Sequence, residues 1–324
     1  MITLHHRSER DFRILNLTDP QLSSADWKEG CLPERIFRTT AERLIQRVSP
    51  DLITVSGDLS YAGDLPAYRE LADRLDSFGI PWTCCFGNHD NQDGPEAVQK
   101  VLDEYGKHPC FVFEDCDADL GKGNFVVRVE KNGKTMGGIF LMDTHDREPC
   151  VKCGADALHW GTLSEAQLRW YEEGVARLQA QGCRETTLIA HIPIHAYQEA
   201  FKAAFAGRVA PESVSWADSL APDLWKQGYE DSCGVGHEPV SCSPHDDGAL
   251  ALIKRLGSTR TLLCGHNHCN NWMVTYQGIR FVFGLKIGPG GYWDPSLNGG
   301  TVVSIGDDGA ASVHHEFVDV SDLL

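Results

Sequence analysis

One α/β domain, built as two sheets packed on each other with helices outside, is the architecture this sequence predicts. Three observations carry it. Short apolar runs alternate with amphipathic helical stretches up to Tyr105; a polar turn rich in Asp, Asn and His closes each run; and the tail changes to alternating strands separated by turns. Apolar runs joined by helical crossovers belong to parallel strands buried on both faces, and ligands bind beyond the carboxyl ends of such strands.

Phe12–Leu17 reads as the first core strand, ending in Thr18-Asp19-Pro20-Gln21. A polar loop with Trp27 follows, then an amphipathic helix over 34–48 that places Ile36, Leu44, Ile45 and Val48 on one face. The second strand, 51–56, ends in Gly57-Asp58-Leu59-Ser60-Tyr61, and a helix over 65–78 stops at Gly79. The third strand begins at Trp82 and ends in Gly87-Asn88-His89-Asp90. Pro95 opens a helix that runs to Tyr105.

Beyond Cys110 the texture changes. Residues 125–130 and 137–143 flank a Lys-Asn-Gly-Lys turn, the mark of a hairpin. A polar loop over 144–161 holds Cys150 and Cys153. A helix over 164–181 has Ser164 at its N-cap, with Gln167 completing a capping box. The strand 185–190 ends in His191-Ile-Pro-Ile-His195, the helix 248–256 leads into the strand 260–264, and that strand ends in Gly265-His266-Asn267-His268. The segment 207–247, rich in Gly, Pro and Ser, reads as an irregular insertion and a lid. The tail segments 273–276, 279–285, 301–305 and 311–317 read as an antiparallel set, interrupted by Gly288–Tyr292. With no internal repeat and no linker, residues 1–324 form a single domain.

Composition narrows the function. A net charge of −17 without any basic run argues against a nucleic-acid polymer as partner. No uninterrupted apolar stretch is long enough to span a membrane. The first residues lack the apolar core and cleavage site of a secretory signal, so a cytoplasmic protein is expected, its twelve cysteines reduced. Cys150 and Cys153 form a lone CxxC. His159 or Cys183 could complete a structural zinc with it, but no spacing demands one.

Collected, the strand ends carry Asp19 and Gln21, Asp58, Asn88 and His89, His191, and His266 and His268. Each motif alone also fits a polar turn; together they form a ligand set. Carboxylate, imidazole and amide oxygen suit Mn, Fe or Zn. There are more donors than one coordination sphere takes, so two ions sharing a carboxylate are expected. A pair about 3.5–4 Å apart binds phosphate, lowers the pKa of a bridging water and stabilises an in-line displacement.

The order Asp-x-Gln, Gly-Asp, Gly-Asn-His-Asp, a lone His after a strand, then Gly-His-Asn-His resembles the calcineurin-like metallophosphoesterase superfamily. The motifs span Asp19 to His268. Gly57–Ala62, Ala190–Ile194 and Lys286–Tyr292 are similar to small, intracellular-type purple acid phosphatase relatives.

The resemblance implies a four-layer α/β/β/α sandwich, two mixed sheets with flanking helices, and a dinuclear site. It implies that Asp58 bridges both metals, that Asp19 and His268 hold the first, and that Asn88, His191 and His266 hold the second. His89 would stand near the leaving group, oriented by Asp90. His191 is preferred to His195 because it directly follows the strand. Position 21 is Gln where many members have His, as in some members acting on nucleotide diphosphates. Tyr61 stands where purple acid phosphatases ligate ferric iron. Either Gln21 or Tyr61 is the extra ligand of the first metal.

The expected activity is phosphomonoester hydrolysis through a hydroxide bridging the metals, on a phosphorylated small molecule or a phosphoprotein. A phosphodiesterase or nucleotide pyrophosphatase is the alternative that Gln21 favours. The intact ligand set and His89 speak against a non-catalytic scaffold. Substrate choice would lie in the irregular segments, with Trp27, Trp216 and Trp225 as stacking or packing aromatics.

Overall fold

A computed structural model describes residues 1–116, 120–149, 153, 157–205, 226 and 232–324. The chain begins with β1 (Ile2–His5), β2 (Phe12–Leu17), α1 (Leu32–Val48), β3 (Leu52–Ser56), α2 (Leu65–Ser77), β4 (Trp82–Cys85), α3 (Asn88–Asn91) and α4 (Pro95–Tyr105). It continues through β5 (Phe125–Lys131), β6 (Lys134–Met142), β7 (Arg147–Pro149), β8 (Leu158–Trp160), α5 (Glu165–Ala180), β9 (Thr186–Ala190), α6 (Ala196–Ala204) and α7 (Ala249–Leu256). It closes with β10 (Thr259–Cys264), β11 (Met273–Tyr276), β12 (Ile279–Phe283), β13 (Gly299–Ile305) and β14 (Ala311–Phe317).

Two sheets form: a five-stranded one in the order β14-β13-β2-β3-β4 and a seven-stranded one in the order β1-β5-β6-β9-β10-β12-β11. Three apolar clusters show how they stack. Between the sheets, Ile14, Leu52 and Val303 of one meet Ile139, Ile189, Leu263 and Val282 of the other. Outside the five-stranded sheet, Ile36, Phe37, Leu44, Leu71 and Leu75 of α1 and α2 pack over Leu15, Ile53 and Val55. Outside the seven-stranded sheet, Tyr171, Val175, Tyr197 and Ile253 of α5, α6 and α7 pack over Phe140, Leu188 and Leu262. The layers are therefore α/β/β/α, as expected, since apolar strands buried on both faces require cover on both.

β2, β3 and β4 run parallel, as do β6, β9, β10 and β12. All their carboxyl ends face one edge. The β5–β6 hairpin closes on Asn132-Gly133, both left-handed at φ 52° and 77°, the turn that matches strand twist. The Ser164–Gln167 capping box opens α5: the Gln167 amide donates to Ser164 Oγ at 3.2 Å and the Ser164 amide to Gln167 Oε1 at 2.9 Å.

Several expectations need correction. The N-terminal residues form β1, a parallel edge strand on β5. The polar loop 144–161 contains a small antiparallel ribbon, β7 with β8. The tail is not one antiparallel set. β12 pairs parallel with β10 in the seven-stranded sheet, while β13 and β14 belong to the other sheet, β13 antiparallel to β2. The crossing is made where Lys286 bridges Thr18 and the Ile287 amide donates to the Thr18 carbonyl at 3.1 Å, a long-range pairing that local periodicity does not encode. Asn88–Asn91 is a helical turn.

Cys150, Trp216, Trp225 and most of the expected lid lie outside the described residues. Cys31, Cys84, Cys85, Cys110, Cys116, Cys183, Cys242, Cys264 and Cys269 are free thiols, and Cys183 bonds the Glu185 carbonyl. No helix among the described residues is long and apolar enough to cross a membrane.

Candidate metal centre

The strand ends expected to carry chemistry meet at one place, between the carboxyl edges of the two sheets. β2 delivers Asp19 and Gln21, β3 delivers Asp58, and β4 runs through Gly87 into Asn88 and His89. From the other sheet, β9 ends at His191 and β10 leads to His266 and His268. Asp19, Gln21, Asp58 and His266 all have positive φ, at 51°, 44°, 49° and 72°. Such non-glycine geometry costs on the order of 1–3 kcal/mol per residue and concentrates at functional sites. The glycines explain the motifs' spelling. A Cβ at Gly57 would lie 2.5 Å from the His191 ring, and one at Gly87 would strike the Asp58 carboxylate. The two sheets could not close around the site with any larger residue there.

Two donor clusters result, and they share one carboxylate. Asp58, His191 and His266 place ligand atoms within 4.8 Å of one another, and so do Asp19, Asp58 and His268. His191 Nε2 stands 3.3 Å from Asp58 Oδ1 and 3.2 Å from Asn88 Oδ1; His268 Nε2 stands 3.2 Å from Asp19 Oδ1. The outer nitrogens are tied down. His191 Nδ1 is 2.9 Å from the Ser56 carbonyl and His268 Nδ1 is 2.7 Å from that of Tyr292. A carbonyl only accepts, so each Nδ1 carries a proton and each Nε2 is the inward-facing atom, whose lone pair a cation would take in place of a proton. Tyr292 also stacks on His268 at 4.0 Å and donates its hydroxyl to Glu238.

Among the candidate ligands, three buried atoms make no hydrogen bond: Asp19 Oδ1, Gln21 Oε1 and His266 Nε2. Buried polar atoms are normally satisfied, so orphans that converge on one point call for a partner. Their chemistry, oxygen and imidazole nitrogen without thiolate, fits Mn, Fe or Zn.

The charges are strongly coupled. Burial works against the Asp19 and Asp58 carboxylates, but His268 and His191 outweigh it and hold both well below their usual range. Burial likewise opposes charge on His191, yet Asp58 and Asp19 push it up to about 10. His266 is driven the other way, to about 3, by burial and by His191. Two buried carboxylates thus draw positive charge into this point, and bound cations would take the place of the protons. Lys286, fully buried, donates to the Asp19 carbonyl and braces the β2 turn.

The remaining expected residues divide. The His89 amide donates to Asp58 Oδ1 at 2.9 Å, and its ring Nδ1 is unbonded, with Tyr61 edge-on at 5.5 Å. Gln21 is buried and close to His268, since a Cβ at Gly291 would lie 2.6 Å from Gln21 Oε1 and 3.3 Å from His268 Cε1. Tyr61 is half-buried, and burial foremost, with Asp26 and Asp58 adding to it, raises the pKa of its hydroxyl. Asp90 requires a correction. Its carboxylate does not orient His89; it accepts the amides of Gly87 at 2.7 Å and Leu59 at 3.0 Å and the Tyr68 hydroxyl at 2.8 Å. The helical turn at Asn88–Asn91 directs it into the protein, behind the site. His195 lies outside both clusters, on the Ser243 carbonyl.

Sequence reasoning missed neighbours that the fold supplies. Asp143, at the end of β6, bonds Asn91 Nδ2 at 3.1 Å and pairs with His145 at 3.0 Å. Asp143-Thr144-His145 repeats the pattern of a polar cluster after an apolar run, which could have flagged it. Trp160, packed edge-on to His266 at 4.4 Å, and Arg147, 4.3 Å above the Trp160 ring, gave no such signal.

A two-sheet sandwich whose strand ends gather two donor clusters around a shared carboxylate is a framework that can hold a pair of metal ions. The chain belongs to the calcineurin-like phosphoesterase family, whose family model matches residues 12–270. It is 24% identical over 278 residues to probable inactive purple acid phosphatase 28 of Arabidopsis thaliana, covering 78% of this chain and 62% of that protein. It is 22% identical over 312 residues to phosphatase DCR2 of Saccharomyces cerevisiae, covering 89% of this chain and 49% of that protein. The chain thus spans less than two thirds of these relatives. A dimetal phosphatase from Danio rerio (LOC 393393) has the same fold, with a TM-score of 0.60 at 12% identity over 96% of this chain and 98% of that one.

Proposed function

We propose that this chain is a dinuclear metal-dependent phosphomonoesterase acting on a phosphorylated small molecule or phosphoprotein. The observation that carries the proposal is the pair of buried donor clusters sharing Asp58. In this reading Asp58 would be shared by two ions; Asp19, His268 and Gln21 would hold the first, and Asn88, His191 and His266 the second. When bound, the metals supply Lewis-acid activation of water and neutralise phosphate charge.

The chain's own residues do the rest. Ser56 and Tyr292 carbonyls fix the tautomers of His191 and His268, so their Nε2 atoms stay available as donors. His89, held through its amide on Asp58 with its ring Nδ1 unbonded, protonates the departing alcohol oxygen. Asp90 holds the turns after β3 and β4 in register, so that Asp58 and Asn88 stay opposed. A reducing compartment such as the cytoplasm fits the buried free thiols of Cys84, Cys85, Cys183, Cys264 and Cys269.

A second reading, a phosphodiesterase or nucleotide pyrophosphatase, is favoured by Gln21, whose buried amide oxygen faces the site where an imidazole is common. The test is a pair of initial rates on manganese-loaded protein, p-nitrophenyl phosphate against bis-p-nitrophenyl phosphate. Preference for the monoester supports the first reading and preference for the diester replaces it with the second.

A further inference from the structure

We propose that Arg147 binds a second anionic group, a phosphate or carboxylate, on a small phosphomonoester substrate, so that the site selects doubly anionic esters. The inference rests on the phosphomonoesterase reading above and names its substrate class.

The β7–β8 ribbon makes the arrangement. Arg147 and Trp160 are directly paired across the two strands, and the turn into the ribbon is closed by the Gly161 amide on the Asp146 carbonyl at 2.8 Å. Cross-strand pairing seats the guanidinium on the Trp160 ring at 4.3 Å. The same indole packs edge-on to His266 at 4.4 Å. Arg147 is therefore an exposed cation held one ring away from a candidate metal ligand.

No carboxylate among the described residues lies within ion-pair distance of Arg147, in a chain whose net charge is −17. An arginine left unpaired among so many acids, stacked rather than swinging free, keeps its planar donors available for a carboxylate or phosphate. A histidine with a carboxylate partner precedes it. His145, two residues earlier, pairs with Asp143 at 3.0 Å; burial opposes its charge, but Asp143 prevails and raises its pKa. The metal clusters would take the scissile phosphate, and Arg147 would take a further anionic group on the alcohol side.

The experiment compares phenyl phosphate with 4-carboxyphenyl phosphate on manganese-loaded wild type, Arg147→Gln and Arg147→Lys. The ratio of kcat/KM between the two esters cancels leaving-group chemistry, which is common to all three proteins. The ratio for carboxyphenyl over phenyl ester is expected to fall about tenfold in Arg147→Gln and less in Arg147→Lys, which keeps charge but loses the flat stack. An unchanged ratio in Arg147→Gln overturns the proposal.

Calorimetric titration supplies a readout that needs no turnover. The loaded wild type is expected to bind inorganic diphosphate about tenfold more tightly than orthophosphate, and Arg147→Gln to lose that margin. Equal margins in the two proteins overturn the proposal. Protein that hydrolyses neither ester but shows the wild-type diphosphate margin refutes the phosphomonoesterase reading and leaves the anion site standing.

Discussion

Tyr68 donates its hydroxyl to Asp90 at 2.8 Å in a buried pocket behind the candidate ligands. The same carboxylate accepts the amides of Leu59 and Gly87, one from the turn after β3 and one from the turn after β4. Asp90 is thus a staple between the loops that carry Asp58 and Asn88. Removing Tyr68's hydroxyl costs one buried hydrogen bond; removing the carboxyl group orphans several buried donors together. Tyr68→Phe is expected to lower unfolding free energy by about 1–2 kcal/mol and Asp90→Ala by roughly 3 kcal/mol or more. Urea midpoints with unchanged slopes check this, and an Asp90→Ala midpoint equal to wild type would refute the staple.

Metal content and turnover should separate at neighbouring positions. Asp58 belongs to both clusters, so Asp58→Asn is expected to lose both ions and turnover together. His266→Ala removes a donor from one cluster alone and should leave about one ion per chain. His89 touches the centre only through its backbone amide on Asp58. His89→Ala should therefore keep the metal content of wild type while kcat drops by about 10²–10⁴, the usual contribution of a positioned proton donor. Elemental analysis beside steady-state rates decides, and loss of metal in His89→Ala would make it a ligand rather than an acid.

The choice between Gln21 and Tyr61 follows from burial. Gln21 Oε1 is buried, unbonded and close to His268, whereas Tyr61 is only half-buried and leans its ring on His89. Gln21→Ala is expected to weaken one ion and spare the other, and Tyr61→Phe to leave both. Iron-loaded, oxidised protein should lack the visible charge-transfer band of a ferric tyrosinate. Appearance of that band, and its loss in Tyr61→Phe, would reverse the assignment.

Much of this centre was legible because parallel strands write their function at one end. Gly57-Asp58 and Gly265-His266 follow unbroken apolar runs, and the structure brings both to the same edge. The α/β/β/α layering followed for the same reason: strands buried on both faces need cover on both. What stayed hidden depends on contacts distant in sequence. The parallel pairing of β12 with β10 is set by the crossing at Thr18 and Lys286, and the Arg147–Trp160 stack by a ribbon of two three-residue strands. Asp90 was misread because adjacency to His89 in sequence says nothing about direction once the segment coils into a helical turn.

A last prediction concerns acid stability and lies away from the metal ligands. His315 on β14 places Nε2 2.8 Å from the Asn271 carbonyl and Nδ1 3.0 Å from Thr301 Oγ1. The carbonyl accepts from Nε2–H. Thr301, whose oxygen already accepts the Leu285 amide at 3.1 Å, turns its hydroxyl proton to Nδ1. The ring is satisfied only when neutral. Burial foremost, with His314 adding to it, pulls its pKa down to about 4, against the opposing Asn271 carbonyl. The unfolded chain, with an ordinary value of about 6.5, then binds the proton more tightly than the folded one. The stability this histidine contributes is complete above pH 6.5 and is lost as pH falls from there towards 4, at up to about 1.4 kcal/mol per pH unit. His315→Gln removes the titration. The stability difference between wild type and His315→Gln, measured in urea, is expected to shrink by about 1–2 kcal/mol between pH 7 and pH 5. The same difference at both values would show that His315 is protonated as readily in the folded protein as in the unfolded chain.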